Sequence, residues 1–359
     1  MIGDTRITVV RIGRPDIPEA DWAGLWFPER PHDLAYLRAI ADAGIGCVFR
    51  YFLARRDGRV IGAAHGFLMR YPVAGPLSIP VFAGGTPVNV GSPFYFSSPG
   101  VVDDVLPLLL DAMAAEAAAL RAKLLVVRDL WETQVWRTCG RELFSGGYRR
   151  TPMYLDALLP VRWPDYAGYL EWLPADRRKT VRRDTRRFER AGFRVETVTT
   201  QPADPTVAAM HRLWRKLFEK YRDRDQVWLP EDYFRRVSAL PQSTVLLALH
   251  GAEVVGFDLL VRRGAVLESL YSGVDRERIG NTPVHRHLGG RIVRLAIEHG
   301  LEAVDFGISN EEAKVKLGCE LRLGWAYVRP LSRVARKLRL DRLVFPDEEP
   351  DIREEAEPR

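Results

Sequence analysis

Cysteine is scarce in this chain: Cys47, Cys139 and Cys319 are the only three in 359 residues, far apart and in no C-x-x-C spacing. An odd number cannot pair fully within one chain, and the spacing fits neither a disulfide framework nor a zinc site. Long apolar runs are also missing. No stretch approaches the ~18 uninterrupted apolar residues of a membrane-spanning helix, so no span is expected. The opening "MIGDTRITVVRIGRPDIPE" mixes both charges and has no apolar h-region, so it is not expected to be a secretory signal. A reducing, cytoplasmic setting is the expectation. His285 and His287 stand two apart in "VHRHL", about 200° apart around a helix. A helical metal pair needs i and i+4 instead. "GGTPVNVGS" (84–92) is glycine-rich but matches no Walker or Rossmann phosphate loop, and is expected as a surface loop or a wall of an acceptor cleft.

What is present is enough for a full core: 47% of residues are hydrophobic and 28% charged. At roughly 150 residues per domain, the length suggests two domains. The net charge of +6 hides an asymmetry. Residues 346–359, "PDEEPDIREEAEPR", hold seven acids and two arginines, a net of −5, so the remaining chain carries +6 − (−5) = +11. A Pro- and Glu-rich tail of this kind is expected to be disordered. Ahead of it, "LSRVARKLRLDRL" (331–343) is expected as a basic surface helix packing on Leu331, Val334 and Leu338.

Two hairpin-like stretches superpose at a constant offset of 194. "FLARRDGRVIGAAHGFLMR" (52–70) lies over "LLALHGAEVVGFDLLVRRG" (246–264), each strand, tight turn, strand. Each is followed by an Ala/Leu-rich helix running into a β-branched strand. The first copy carries a Pro/Gly-rich insert at 72–100. Two related α/β units are therefore expected, meeting near 152–164. The second copy predicts helix 175–191, strand 193–200, helices 205–221 and 231–239, and a strand pair over 243–262. Strand 265–274, helix 283–299, strand 301–308, helix 310–317 and strand 324–330 follow. This order implies a mixed sheet covered by helices.

The run 267–328 resembles the GNAT N-acyltransferase superfamily, and within it the FemAB-like, tandem-GNAT branch. Four elements carry the resemblance: Tyr271-Ser272-Gly273 leading to Gly280-Asn281-Thr282, the helix end "AIEHG", the strand "VDFG" at Asp305 to Gly307, and K-x-x-x-G from Lys314 to Gly318. The resemblance implies two tandem GNAT-like domains of the α/β (α+β mixed sheet) class. These are a degenerate one at 1–160 and a catalytic one at 161–330, with the basic helix at 331–345 and the acidic disordered tail at 346–359. The GNAT pyrophosphate loop, usually Gln/Arg-x-x-Gly-x-Gly/Ala, is here Glu277-Arg278-Ile279-Gly280-Asn281-Thr282, a departure at both ends.

The implied activity is formation of an amide from an activated donor and an amine. The donor is an acyl-CoA thioester or an aminoacyl-tRNA, used as a co-substrate; no permanently bound cofactor is implied. The acceptor is a small molecule or a cell-wall precursor. Such chemistry needs a proton acceptor for the amine and donors for the oxyanion. The resemblance places the oxyanion donors on backbone near Tyr271 and Ser272. Glu268, Asp258 and Asp305 are candidate bases, Glu268 preferred because it alternates in phase with Leu270 and Ser272. Tyr271 and Tyr327 are candidate acids towards the leaving group, and Lys314 matches the family lysine that contacts substrate phosphate or carboxylate. Asp305 is equally suited to fixing the loop at Asn310. Ser272, Arg276, Arg278, Gly280, Asn281 and Thr282 are the candidate donor-binding set.

Arg182 and Arg186 join that set from "RRKTVRRDTRRFER" (177–190), which holds seven arginines and a lysine. Like charges at i, i+4 repel, so this helix is expected to face phosphate, of tRNA, of coenzyme A or of a carrier-protein arm, or else to be a solvated face balanced by ion pairs. The competing function, a nucleic-acid-binding or scaffold protein without chemistry, uses the same surface.

Overall fold

A computed structural model of the chain describes residues 7–25, 32–74, 77–131, 140, 142–220, 227–308 and 310–347. The chain forms two compact units. The first comprises Met1–Asp42, Gly46–Tyr154 and Leu323–Pro350, the second Ala43–Ile45, Leu155–Arg322 and Asp351–Arg359.

In the first unit the strands β1 (Thr8–Ile12), β2 (Val48–Arg56), β3 (Arg59–Ala74), β4 (Leu77–Gly84) and β6 (Leu124–Leu130) are neighbours in that order, and β5 (Phe94–Phe96) pairs with β3. Residues Trp325–Pro330 of β13 (Glu320–Pro330) close this sheet against β6. All pairings are antiparallel except β4 with β6, which run parallel from Val81↔Leu124 to Gly84↔Val127. Helices α1 (Glu19–Ala23), α2 (Leu34–Asp42) and α3 (Val102–Ala119) belong here, with Val105, Leu109 and Met113 of α3 buried against Phe52, Phe82 and Val127.

The second unit repeats the plan. Its strands are β7 (Arg149–Pro160, of which Leu155 onward belongs to this unit), β12 (Ala303–Ile308), β11 (Val266–Val274), β10 (Glu253–Arg263), β9 (Ser243–His250) and β8 (Phe193–Val198), in that spatial order. Its helices are α4 (Tyr166–Trp172), α5 (Ala175–Arg190), α6 (Asp204–Lys220), α7 (Glu231–Ser238), α8 (Arg276–Ile279), α9 (Val284–Glu298) and α10 (Glu311–Leu317). The hairpin β9–β10 answers β2–β3, and the parallel pair β11–β12 answers β4–β6. The observed bounds fall within about two residues of the periodicity reading for most elements of this unit. The exception is β13, which starts at Glu320, four residues early.

Helices α5 and α9 cover one face of the second sheet, where Phe188, Val284, Leu288 and Ile292 bury Leu246, Ala248, Val255 and Leu260. The other face meets α6 and α7 through Phe234 on Phe257, at 6.0 Å between ring centroids, and through Trp214 beside Tyr271. The K-x-x-x-G glycine has a steric reason. Gly318 ends α10 at φ +97°, and a Cβ there would stand 2.5 Å from the Trp172 ring.

The first unit differs from the second at the end of its parallel pair. Beyond Gly84↔Val127 the partner strands of its parallel pair separate, and the gap is taken by the chain's own 84–92 loop. Thr86, Val88, Val90 and Ser92 are buried, and Gly91 N–H donates to Asp129 Oδ2 at 3.2 Å. Tyr154 Oη–H and Arg128 Nε–H hold the other oxygen, at 2.6 and 2.8 Å. The expectation of a surface loop is thereby corrected: it is an internal plug. The basic 331–343 stretch is also not one helix. It forms α11 (Arg333–Lys337) and α12 (Leu340–Val344), with Arg339 at φ +50° between them. The tail at 348–359 lies outside the described residues. No described helix is long and apolar enough to cross a membrane.

Candidate active site

β11 changes its pairing halfway along. Val266–Glu268 pair in parallel with Ala303–Asp305 of β12, and that register goes no further. On the β10 side Leu259 opposes Tyr271 while Leu260 opposes Ser269, so Leu270 is an extra residue in β11. Such a bulge bends the strand and leaves its extra residue outside the ladder. It stands where β11 has parted from β12, so peptide groups there face a gap instead of a strand.

The bulge also moves every side chain beyond it to the opposite face. Glu268 and Ser272, expected in phase, lie on opposite sides of the sheet. Glu268 shares the α6–α7 face with Val261 and Tyr271; Ser269 and Ser272 share the α5–α9 face with Asp258. Ser269 Oγ–H donates to Asp258 Oδ1 at 2.9 Å. Asp258 is 3% exposed, and burial pushes its carboxyl up to about 7, against the opposing pull of the Ser269 hydrogen bond and the Lys314 charge. A carboxyl titrating near neutrality beside an open stretch of strand has the protonation behaviour of a general base.

Glu268 is differently placed. Its Oε2 accepts from Arg263 at 2.6 Å, both side chains are buried, and Arg263 also stands 3.9 Å from Asp305 Oδ2. A buried carboxylate paired in this way holds its cation in the fold. Asp305 Oδ1 accepts the Gly307 N–H at 2.7 Å and so shapes the turn that leads towards Asn310. Tyr271 is packed among Tyr233, Phe234 and Trp214, 5.6–6.4 Å between centroids, on the face away from Asp258. Lys314 Nζ donates to the Gly307 and Ile308 carbonyls at 3.0 and 2.8 Å, which ties α10 to the end of β12 and leaves one N–H over. Burial lowers its ammonium pKa, resisted by Asp305 and Glu311. Burial pushes the Cys319 thiol up to about 12, which removes it as a nucleophile.

The candidate donor residues separate into two groups. Gly280, Asn281 and Thr282 form the link from α8 to α9, directly ahead of the first turn of α9, whose Val284 N–H donates to the Thr282 carbonyl at 2.8 Å. Gly280 sits at φ +51°, ψ −125°, with nothing within 4 Å of where a Cβ would be, so the backbone is open to an approaching ligand. Arg276 is exposed nearby. Arg278, by contrast, is engaged with Glu253 and lies 3.9 Å from Asp275, which Lys216 also holds at 2.9 Å.

On α5, Val181, Asp184 and Phe188 turn inward and the arginines turn out. The buried Asp184 is held by Arg286 of α9 at 2.7 Å and by Arg183 at 3.7 Å. Arg182, Arg186, Arg187 and Arg190 are exposed and enter no ion pair among the described residues. Arg183, Arg186, Arg187 and Arg190 line an open concavity of about 550 Å³. The solvated-face reading accounts for Arg177 and Arg183 and not for this row.

His287 lies flat on Phe188, ring centroids 4.0 Å apart and planes 12° apart. Burial, then Arg291 and Arg294, bring its pKa down to about 4. An unfolded histidine titrates near 6.5, so between these values the unfolded state binds the extra proton. Stability from this stack is therefore complete above about 6.5 and is lost as pH falls towards 4. The buried His65, lowered to about 3 by burial, adds the same sign in the first unit. Urea midpoints measured from pH 7 to 4.5 should fall in the wild type and fall less steeply in His287→Phe. Equal slopes would show that His287 is already protonated in the fold.

Comparison with protein families matches residues 175–315 to the acetyltransferase (GNAT) domain. No curated protein matches in sequence. Among solved structures the chain is similar to FemX, at 16% identity and TM-score 0.62, covering 92% of this chain and 99% of that one. L-PGS from Bacillus licheniformis is similar at 14% identity and TM-score 0.57, over 93% and 99% of the two chains. A tandem GNAT protein from the clavulanic acid biosynthesis pathway gives 14% identity and TM-score 0.55, over 91% and 99%. At such identities these likenesses concern the fold. Residues 175–315 thus match an acetyltransferase (GNAT) domain, in a chain whose fold, the same plan built twice, is similar to those of FemX and a tandem GNAT protein.

Proposed function

We propose that this protein is an N-acyltransferase, moving an activated acyl or aminoacyl group onto an amine, with Asp258 as the proton acceptor. The observation that carries this is the buried Asp258–Ser269 pair at the Leu270 bulge, with a carboxyl pushed to about 7. An amine arrives largely as ammonium and attacks only when neutral, so its proton passes to Asp258. Its nitrogen then bonds to the acyl carbon. Backbone N–H groups at the bulge suit the oxyanion that forms, since fixed dipoles need no reorganisation. Collapse breaks the C–S or C–O bond; the departing thiolate or ribose alkoxide takes the proton on Asp258, and the carboxylate so freed accepts the second proton from the positively charged nitrogen, leaving a neutral amide.

Aminoacyl-tRNA is the donor that the surface fits best. A row of exposed arginines without acidic partners suits a polyphosphate chain, and Glu277 in the pyrophosphate loop is unfavourable to coenzyme A. The second reading, a CoA thioester, is favoured by the open Gly280 backbone ahead of α9. The acceptor is an amine-bearing small molecule or cell-wall precursor.

Thermal unfolding at physiological salt with coenzyme A, acetyl-CoA and bulk aminoacyl-tRNA tests the donor. A ligand at ~100 times its Kd adds about 2.7 kcal/mol of stability. Stabilisation by charged tRNA, abolished in Arg182→Glu/Arg186→Glu, is the expected result. Stabilisation by coenzyme A alone selects the thioester. Equal stabilisation by charged and uncharged tRNA, with no transfer of a labelled acyl group to any amine, would favour the non-catalytic nucleic-acid-binding protein.

A further inference from the structure

The α11–α12 segment exposes Val334, Leu338 and Leu343 at 66%, 62% and 55%, although a packed surface helix was the expectation for Val334 and Leu338. These side chains are not loose ends. Ser332 Oγ caps α11 by accepting from Ala335 N–H at 3.0 Å, and Ala335 is buried. Asp341 is held by Arg149 Nε at 2.8 Å, and Phe345 packs on Tyr71 with ring centroids 5.5 Å apart. The segment is pinned at both ends with Val334, Leu338 and Leu343 facing out.

Basic side chains surround them. Arg333, Arg336, Lys337 and Arg339 are exposed and enter no ion pair among the described residues; Arg342 is held by Asp347 at 3.1 Å. We propose that this surface of the first unit docks on an anionic lipid bilayer, its aliphatics entering the headgroup–acyl boundary while the cations meet the lipid charge. The combination selects the occupant. A nucleic acid would use the four cations and leave the three aliphatics in water. A bilayer takes both, and stable peripheral binding needs two such signals together. The proposal is independent of the acyl-transfer reading.

Sedimentation with vesicles tests it, using the full chain at physiological salt and either pure phosphatidylcholine or phosphatidylcholine mixed with phosphatidylglycerol. Binding is expected only to the mixed vesicles. The triple variant Val334→Ser/Leu338→Ser/Leu343→Ser should lose about tenfold or more in partitioning. These positions are exposed, so its circular dichroism and unfolding midpoint should match the wild type. Arg336→Glu/Lys337→Glu should lose binding as well. Unchanged binding of the triple variant would overturn the proposal, leaving a polyanion site of charge alone. Absence of binding to mixed vesicles would overturn it too.

Discussion

Asp258→Asn should lower kcat by about 10²–10⁴ and erase the rise of kcat/KM with pH that the wild type is expected to show through about 7. The substitution keeps the side chain's shape and its acceptor for Ser269, so folding is not the cause. The same substitution carries an opposite signature in stability. The folded carboxyl titrates far above the 3.8 of a free aspartate, so the folded state holds its proton the more tightly. Its contribution to stability is therefore complete below about 3.8 and is lost as pH rises through about 7. Above pH 7 the charged, buried Asp258 destabilises the fold by something on the order of 4 kcal/mol, the upper end of what such a shift represents. Asn removes that cost. At pH 8 the variant should be slower and more stable; at pH 4 its stability should match the wild type. A slow variant with unchanged stability at pH 8 would mean that Asp258 is not buried as a neutral acid. An active variant would remove it from the chemistry.

Most of the second unit's element order was legible because helical and strand periodicities are strong there. Val181 and Phe188 mark the buried stripe of α5, and Asp305 to Gly307 mark the end of β12 before α10. The site was less legible. One extra residue, Leu270, reverses the faces of everything after it, and nothing in "VLESLYSGV" distinguishes a bulge from regular alternation. That is why Glu268 was the natural preference from sequence, in phase with Ser272, whereas the fold sets it on the face opposite Ser272 and Asp258. A weak signal existed: Asp258 is the lone acid within the apolar run "VVGFDLLV", an expensive place for a charge without a task. The 84–92 plug was hidden for another reason. Its partner Asp129 is 38 residues further on for Gly91, and no local pattern encodes such a contact. The split between α11 and α12 depends on one backbone dihedral at Arg339, a residue whose side chain gives no hint of it.

Arg263→Leu should destabilise the protein by roughly 3–5 kcal/mol, the cost of leaving buried carboxylates without their cation. The guanidinium lies 2.6 Å from Glu268 and 3.9 Å from Asp305, and all three side chains are at most 5% exposed. At about 2–4 °C per kcal/mol for a unit of this size, the melting temperature should fall by roughly 6–20 °C. Adding Glu268→Gln to Arg263→Leu removes one of the two stranded charges and should recover part of the loss. Glu268→Gln alone should be milder and should leave the pH dependence of the reaction intact, because the proton acceptor is on the other face of the sheet. The two carboxylates thus predict opposite phenotypes: Asp258 variants change the rate and its pH profile, Glu268 variants change the melting temperature. If Glu268→Gln abolished the pH limb while Asp258→Asn did not, the roles assigned here would have to be exchanged. The bulge at Leu270 would then not govern which carboxylate meets the amine.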